Sequence, residues 1–270
     1  MPSLPMILEP DTLHQHLHDE NLLLVDLSGP EHYTEAHIPG AIHVHPRETR
    51  GAASPVPGLL PEKAELEQLL GRIGLKPEHH VVAYDDEGGG WAGRFIWLLE
   101  SVGHRNWSLL NGGRIAWIRE GYPTSTEVSE ATESSRPALT LDPSTTADLE
   151  EVLEAVRAGN TAIWDARAPA EYRGERQSAA RSGHIPGAVN LEWTEIMDPE
   201  RNYRLLPEDR LRETLTSLGI EPSKPVITHC QSHHRSGLTY VAARALGYHD
   251  VRAYAGSWAE WGNRTETPVE

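Results

Sequence analysis

The sequence predicts an α/β protein made of two tandem domains of one kind, each a parallel sheet with helices on both faces. Two observations carry this. Strand-like and helix-like segments alternate, and the alternation occurs twice. Leu24-Val-Asp-Leu-Ser-Gly-Pro-Glu-His-Tyr33 resembles Ile163-Trp-Asp-Ala-Arg-Ala-Pro-Ala-Glu-Tyr172, and His37-Ile-Pro-Gly-Ala41 recurs as His184-Ile-Pro-Gly-Ala188. Val81-Val-Ala-Tyr-Asp85 matches Val226-Ile-Thr-His-Cys230, and residues 110–117 match 254–261. A repeat of half the chain means a duplicated domain, not a solenoid of short units.

The elements of the second half follow in order. Residues 161–165 are a predicted strand and 188–191 another. Residues 209–218 place Leu211, Leu215 and Leu218 at helical spacing, and Gly219 ends that helix. Residues 226–229 are a buried strand. Residues 236–246 are a helix with Leu238, Val241, Ala242 and Leu246 on one face, and 250–254 are the last strand. Residues 124–137 are polar and aperiodic, which predicts domains at 1–125 and 141–270 joined by a linker at 126–140.

Composition narrows the function classes. With 38% hydrophobic and 24% charged residues, the 270-residue chain reads as soluble and globular. No apolar run approaches the roughly 20 residues needed to cross a membrane, and the start of the chain lacks the pattern of a secretory signal. A net charge of −16 makes nucleic acid and anionic membranes poor partners. One cysteine allows no internal disulfide, so the expected location is the cytoplasm.

That cysteine, Cys230, opens the loop Cys-Gln-Ser-His-His-Arg235 directly after a strand, where parallel sheets collect their chemistry. A thiolate there is held by loop N–H groups and by the positive end of the next helix. A buried, inert thiol is the bland alternative, and the polar and cationic neighbours favour a reactive one. Arg235 adds a planar cation suited to an oxyanion, and Gln231, Ser232, His233, His234 and Ser236 complete the expected binding loop. No Asp or Glu occurs from 226 to 240. His229, His233 and His234 beside a cysteine would suit zinc, but the arginine would repel a cation, so no metal is expected. The histidines read instead as local positive field, polar lining and loop hydrogen bonds.

Other motifs read as structural. His37 and His184 occur in both halves, including the half without cysteine, and are expected to bond backbone. Asp26 and Asp165 organise strand ends, with Asp165 orienting Arg167 or Arg173. Trp258 and Trp261 have a counterpart in Trp117 and read as packing, with a substrate-facing role for Trp258 or Trp193 secondary. In the first half, Asp85-Asp-Glu-Gly-Gly-Gly-Trp-Ala-Gly-Arg94 sets Asp85 against Cys230. No Lys-Ser/Thr follows its glycines, so it is not a phosphate loop. The repeat offset falls from 145 at Asp85/Cys230 to 144 at Trp117/Trp261, so this loop reads as one residue longer. The first domain is expected to be catalytically silent and to wall the cleft over Cys230.

Taken together, these residues resemble the two-domain rhodaneses, the thiosulfate:cyanide sulfurtransferases, over about residues 22–268. The loop is similar to that of bacterial members with Cys-Gln-x-His-His-Arg-Ser. The resemblance implies a two-step mechanism through a Cys230 persulfide, with thiosulfate as donor and cyanide or a thiol as acceptor. It implies no cofactor. A sulfur-accepting protein is an alternative acceptor, 3-mercaptopyruvate an alternative donor, and a monomer is expected. Mercaptopyruvate enzymes have Cys-Gly-Ser-Gly-Val-Thr and animal thiosulfate enzymes Cys-Arg-Lys-Gly-Val-Thr, and this loop matches neither. Where those relatives carry a substrate-binding arginine, this chain has Glu171. Arg235 is therefore the expected donor-binding cation, with Arg173 and Arg181 behind it. The loop is one residue shorter than the Cys-x5-Arg loop of phosphatases, which favours a single sulfur over phosphate.

Overall fold

The computed structural model describes residues 4–51, 56–131 and 138–270. Part of the expected linker, 132–137, lies outside the described residues. The first sheet contains β1 (Ile7–Leu8), β2 (Leu22–Asp26), β3 (Ile42–His43), β4 (His80–Tyr84) and β5 (Trp107–Leu110) in the order β1-β5-β4-β2-β3. Every pair in it is parallel. The second half has β6 (Ala162–Asp165), β7 (Val189–Asn190), β8 (Met197–Asp198), β9 (Arg204–Leu205), β10 (Val226–His229) and β11 (Val251–Ala253). Its main sheet runs β11-β10-β6-β7, also parallel, so the topology repeats as the sequence does. Where β1 pairs β5, the second half has a parallel bridge from Thr146 to Ala253.

Apolar runs explain the central strands. All four residues of β10 are buried, as are Val81 to Tyr84 of β4. Such continuous burial belongs to strands covered on both faces. The outer face of the first sheet holds Leu13, Ile38 and Trp117, and that of the second holds Ile185, Trp258 and Trp261. The inner faces merge into one core, with Phe95, Trp97 and Leu98 from the first domain and Leu238, Tyr240 and Val241 from the second. No helix among the described residues is long and apolar enough to cross a membrane.

Two equivalent helices make this junction, Gly90–Ser101 and Arg235–Ala245, each following its domain's central strand. They cross at Gly93 and Gly237. A Cβ on Gly237 would lie 2.4 Å from the Arg94 nitrogen, and one on Gly93 would lie 2.4 Å from the Gly237 carbonyl. Glycine is required there because the two backbones touch. The buried carboxylate of Glu100 adds polar ties, accepting from Tyr240 at 2.5 Å and from Arg244 at 3.2 Å.

Several short elements of the second half were not expected, among them an antiparallel ribbon and the helix that precedes β6. The antiparallel ribbon β8–β9 is too short to leave a periodic signal, and it turns through Asn202 and Tyr203 with φ of 56° and 60°. The helix Leu149–Ala158 was announced by a capping box, Asp148 with Glu151.

Candidate active site

Cys230 sits at the carboxyl end of β10 and is 1% exposed. Its loop is fixed by Ser257, whose hydroxyl accepts from the N–H groups of Cys230 (3.3 Å) and His233 (3.1 Å) and donates to the Tyr254 carbonyl (2.9 Å). The Trp258 N–H donates to the Cys230 carbonyl at 3.0 Å. His233 has φ of 52°, a left-handed conformation uncommon outside glycine. Its ring bonds the Ser236 hydroxyl at 2.8 Å. This turn brings the N–H groups of Ser232 and Ser236 and the Ser236 hydroxyl to the Cys230 sulfur. Burial alone would push the thiol up, but Arg235 and these three donors outweigh it and hold the thiol below its ordinary value.

The remaining loop side chains have defined partners. Gln231 accepts from the Ser178 hydroxyl at 2.8 Å and donates to the Ser178 carbonyl at 2.9 Å. The His234 ring stacks on Trp91 at 4.0 Å, lies 5.8 Å from Trp193 and bonds the Glu87 carboxyl. Arg235 meets Glu171 through two bonds of 2.6 and 3.1 Å. The expected donor cation is thus already paired with a carboxylate.

Asp165 lies beside His229 on the neighbouring strand and holds Arg167, not Arg173. Arg167 lies over the Trp258 ring at 4.5 Å, so Trp258, fully buried, packs this pair. Two expectations need correction. Arg173 pairs with Glu175, both more than half exposed, and among the described residues no bond joins it to the loop. Arg181 donates to the carbonyls of Thr267 and Trp261 and ties down the last residues. His37 and His184 bond the carbonyls of Tyr33 and Tyr172 as expected.

The histidines do not supply positive field. Burial pushes His229 down to about 4, against the pull of Asp165. Burial and nearby guanidinium groups push His234 down to about 3 and His233 well below the usual range. All three are neutral near pH 7 chiefly because they are buried, with nearby arginines adding to the effect. Among the described residues, no group of three His, Cys, Asp or Glu is placed to hold a metal ion.

The first domain reaches this site. Arg94, fully buried, donates to the carbonyls of Thr49, Gly58, Leu59 and His233. Burial pushes it down to about 9, so it stays charged at neutral pH. The Arg50 guanidinium carbon lies over the Trp91 ring, 4.5 Å from its centre, and the side chain reaches the Ser232 hydroxyl at 3.4 Å. Gly58 fits so closely that a Cβ there would lie 1.9 Å from the Ala255 oxygen. Sequence reasoning missed Arg50, Arg94, Glu87 and Trp91. Only Arg94 left a signal, a lone charge opening an apolar run, and buried charges need partners.

The equivalent first-domain site is filled by its own side chain. The Asp85 carboxylate accepts from the N–H groups of Glu87 (3.1 Å), Gly88 (3.1 Å), Gly89 (2.8 Å) and Ala92 (3.0 Å). Burial and Glu87 push its carboxyl up to about 6 against those donors. The anion cradle of the repeat survives here, plugged by a carboxylate.

Residues 9–120 and 148–264 each match the family model described as Rhodanese-like domain. The chain is 51% identical over 268 residues to a thiosulfate sulfurtransferase of Azotobacter vinelandii, covering 99% of this chain and 98% of that one. It is 51% identical over 267 residues to one of Pseudomonas aeruginosa, covering 99% and 97%. Its structure is similar to that of a 3-mercaptopyruvate sulfotransferase from Escherichia coli, with a TM-score of 0.84, 26% identity and coverage of 94% and 99%.

Proposed function

The chain belongs to the rhodanese family, and on that premise we propose that it is a thiosulfate sulfurtransferase whose nucleophile is Cys230. The Cys230 thiolate attacks the outer sulfur of thiosulfate. A new S–S bond forms, the donor's S–S bond breaks, and sulfite leaves with the electron pair. The Cys230 persulfide then gives its terminal sulfur to cyanide or a thiol, and the thiolate returns. No proton or external electron is needed at either step, so the reaction balances without a cofactor.

The observation that carries this reading is a buried sulfur facing two loop N–H groups and a hydroxyl, beside a guanidinium. A ring of donors around one anionic sulfur stabilises thiolate and persulfide alike. Asp165, with Arg167 and Trp258, braces the strand end behind it. The first domain, 1–125, is silent because Asp85 fills its cradle, and 141–270 carries the chemistry. Both parts of the site come from one chain, which supports a monomer, and a lone cysteine suits the cytoplasm.

Intact mass spectrometry tests the reading. Thiosulfate should add one sulfur atom to the protein, and cyanide should remove it. Cys230→Ser should stay folded and gain nothing. Uptake of sulfur by that variant would overturn the assignment.

A further inference from the structure

Charge around Cys230 is divided unequally between the domains. In the second domain the arginines nearest the loop are neutralised: Arg235 by Glu171 and Arg167 by Asp165. A dianionic donor gains little net attraction from either pair. Two first-domain arginines reach the active loop, Arg94 and Arg50, and neither has a carboxylate partner among the described residues. Arg94 is committed to carbonyl oxygens and closed off from solvent.

Arg50 is not committed. Among the described residues its guanidinium makes one long bond, to the Ser232 hydroxyl, and its buried Nε has no partner. Its Cζ lies over the Trp91 ring, 4.5 Å from the centre, and such a cation–π contact holds a guanidinium without using its N–H groups. It is near enough to Cys230 for the two charges to interact. The groups facing it reinforce an anion site. Arg47 is cationic, and His234 is neutral. Glu87, bonded to His234, is pushed up to about 7 by burial and Asp86, so much of its charge is gone at neutral pH.

We propose that Arg50 is the donor-binding residue, receiving the sulfonate oxygens of thiosulfate on its N–H edge while the outer sulfur lies against Cys230. The inference rests on the Cys230 reading above and assigns the silent domain a part in substrate recognition. As the donor's S–S bond breaks, negative charge gathers on the departing sulfite, so the contact with Arg50 strengthens toward the transition state. Arg235 then acts on the thiolate, and Arg50 on the donor.

The test uses the full chain, with Arg50→Gln and Arg50→Lys. Two alkylating agents of similar shape, anionic iodoacetate and neutral iodoacetamide, are compared on the alkaline plateau where the thiol is ionised. Arg50→Gln should lose roughly ten- to hundredfold in kcat/KM for thiosulfate and a comparable factor with iodoacetate. Its rate with iodoacetamide should be unchanged, which also shows an intact site. Arg50→Lys should recover part of both losses. Undiminished thiosulfate turnover in Arg50→Gln, or equal losses with both alkylating agents, would overturn the proposal. A parent protein that takes no sulfur from thiosulfate would remove the sulfurtransferase reading instead, and the contrast between the alkylating agents would still decide whether Arg50 binds anions.

Discussion

The Arg94 guanidinium donates to the His233 carbonyl at 3.1 Å, joining the core of the first domain to the active loop of the second. His233 is the loop residue held at φ of 52°. Removing the bond releases a conformation that most side chains avoid.

Arg94→Met should therefore unfold more easily and lose activity. It leaves the carbonyls of Thr49, Gly58, Leu59 and His233 short of a donor. Each buried group left unsatisfied costs about 1–3 kcal/mol. A urea titration should show a lower midpoint, and activity should fall even where the variant remains folded. An unchanged midpoint would mean that water satisfies those carbonyls.

The pH dependence of Cys230 should follow Arg235. Burial raises the thiol, and Arg235 is the strongest group opposing it. The thiolate fraction grows as pH rises, so iodoacetamide alkylation should climb to a plateau with its inflection below the free-thiol value of about 8.5. Arg235→Ala should move that inflection up and lower thiosulfate turnover roughly 10- to 150-fold. Glu171→Gln should move it down, because Arg235 loses its counterion. An inflection that stays put in Arg235→Ala would show that the loop donors hold the thiolate without it.

Asp85→Cys should not create a second sulfur-carrying site. The N–H cradle is present there, but Trp91 stands where the second domain has Arg235, and Glu87 and Asp86 oppose a second anion. Mass spectrometry after thiosulfate should find one added sulfur per chain. Two would refute the reading of the first domain as silent.

Gly237→Ala should destabilise the protein, although alanine in an ordinary helix position stabilises by about 0.4–1 kcal/mol. The new methyl would meet the Arg94 nitrogen at 2.4 Å. Overpacking of this kind costs about 1–3 kcal/mol. A raised thermal midpoint would show that the two helices separate at little cost.

Short-range pattern was enough to reveal much of this protein. Duplicated His-Ile-Pro-Gly-Ala segments, a buried run before Cys230 and a glycine after residue 218 are local facts, and local facts set strands, turns and helix ends. The pairing of Cys230 with Asp85 was legible for the same reason, since it needs only two aligned strings. The charge of the site was not. His229, His233 and His234 look cationic in the sequence, yet burial among arginines leaves them neutral. Arg235 looks free, yet Glu171 lies 64 positions away in the chain and 2.6 Å away in space. Arg94 and Arg50 reach the loop across 139 and 182 positions. Such contacts leave no periodicity, because they depend on how two sheets pack, and that packing turns on the close approach of Gly93 to Gly237. Ionisation responds to every charge and to the solvent excluded within a few ångströms, so it took its values from the folded arrangement of both domains.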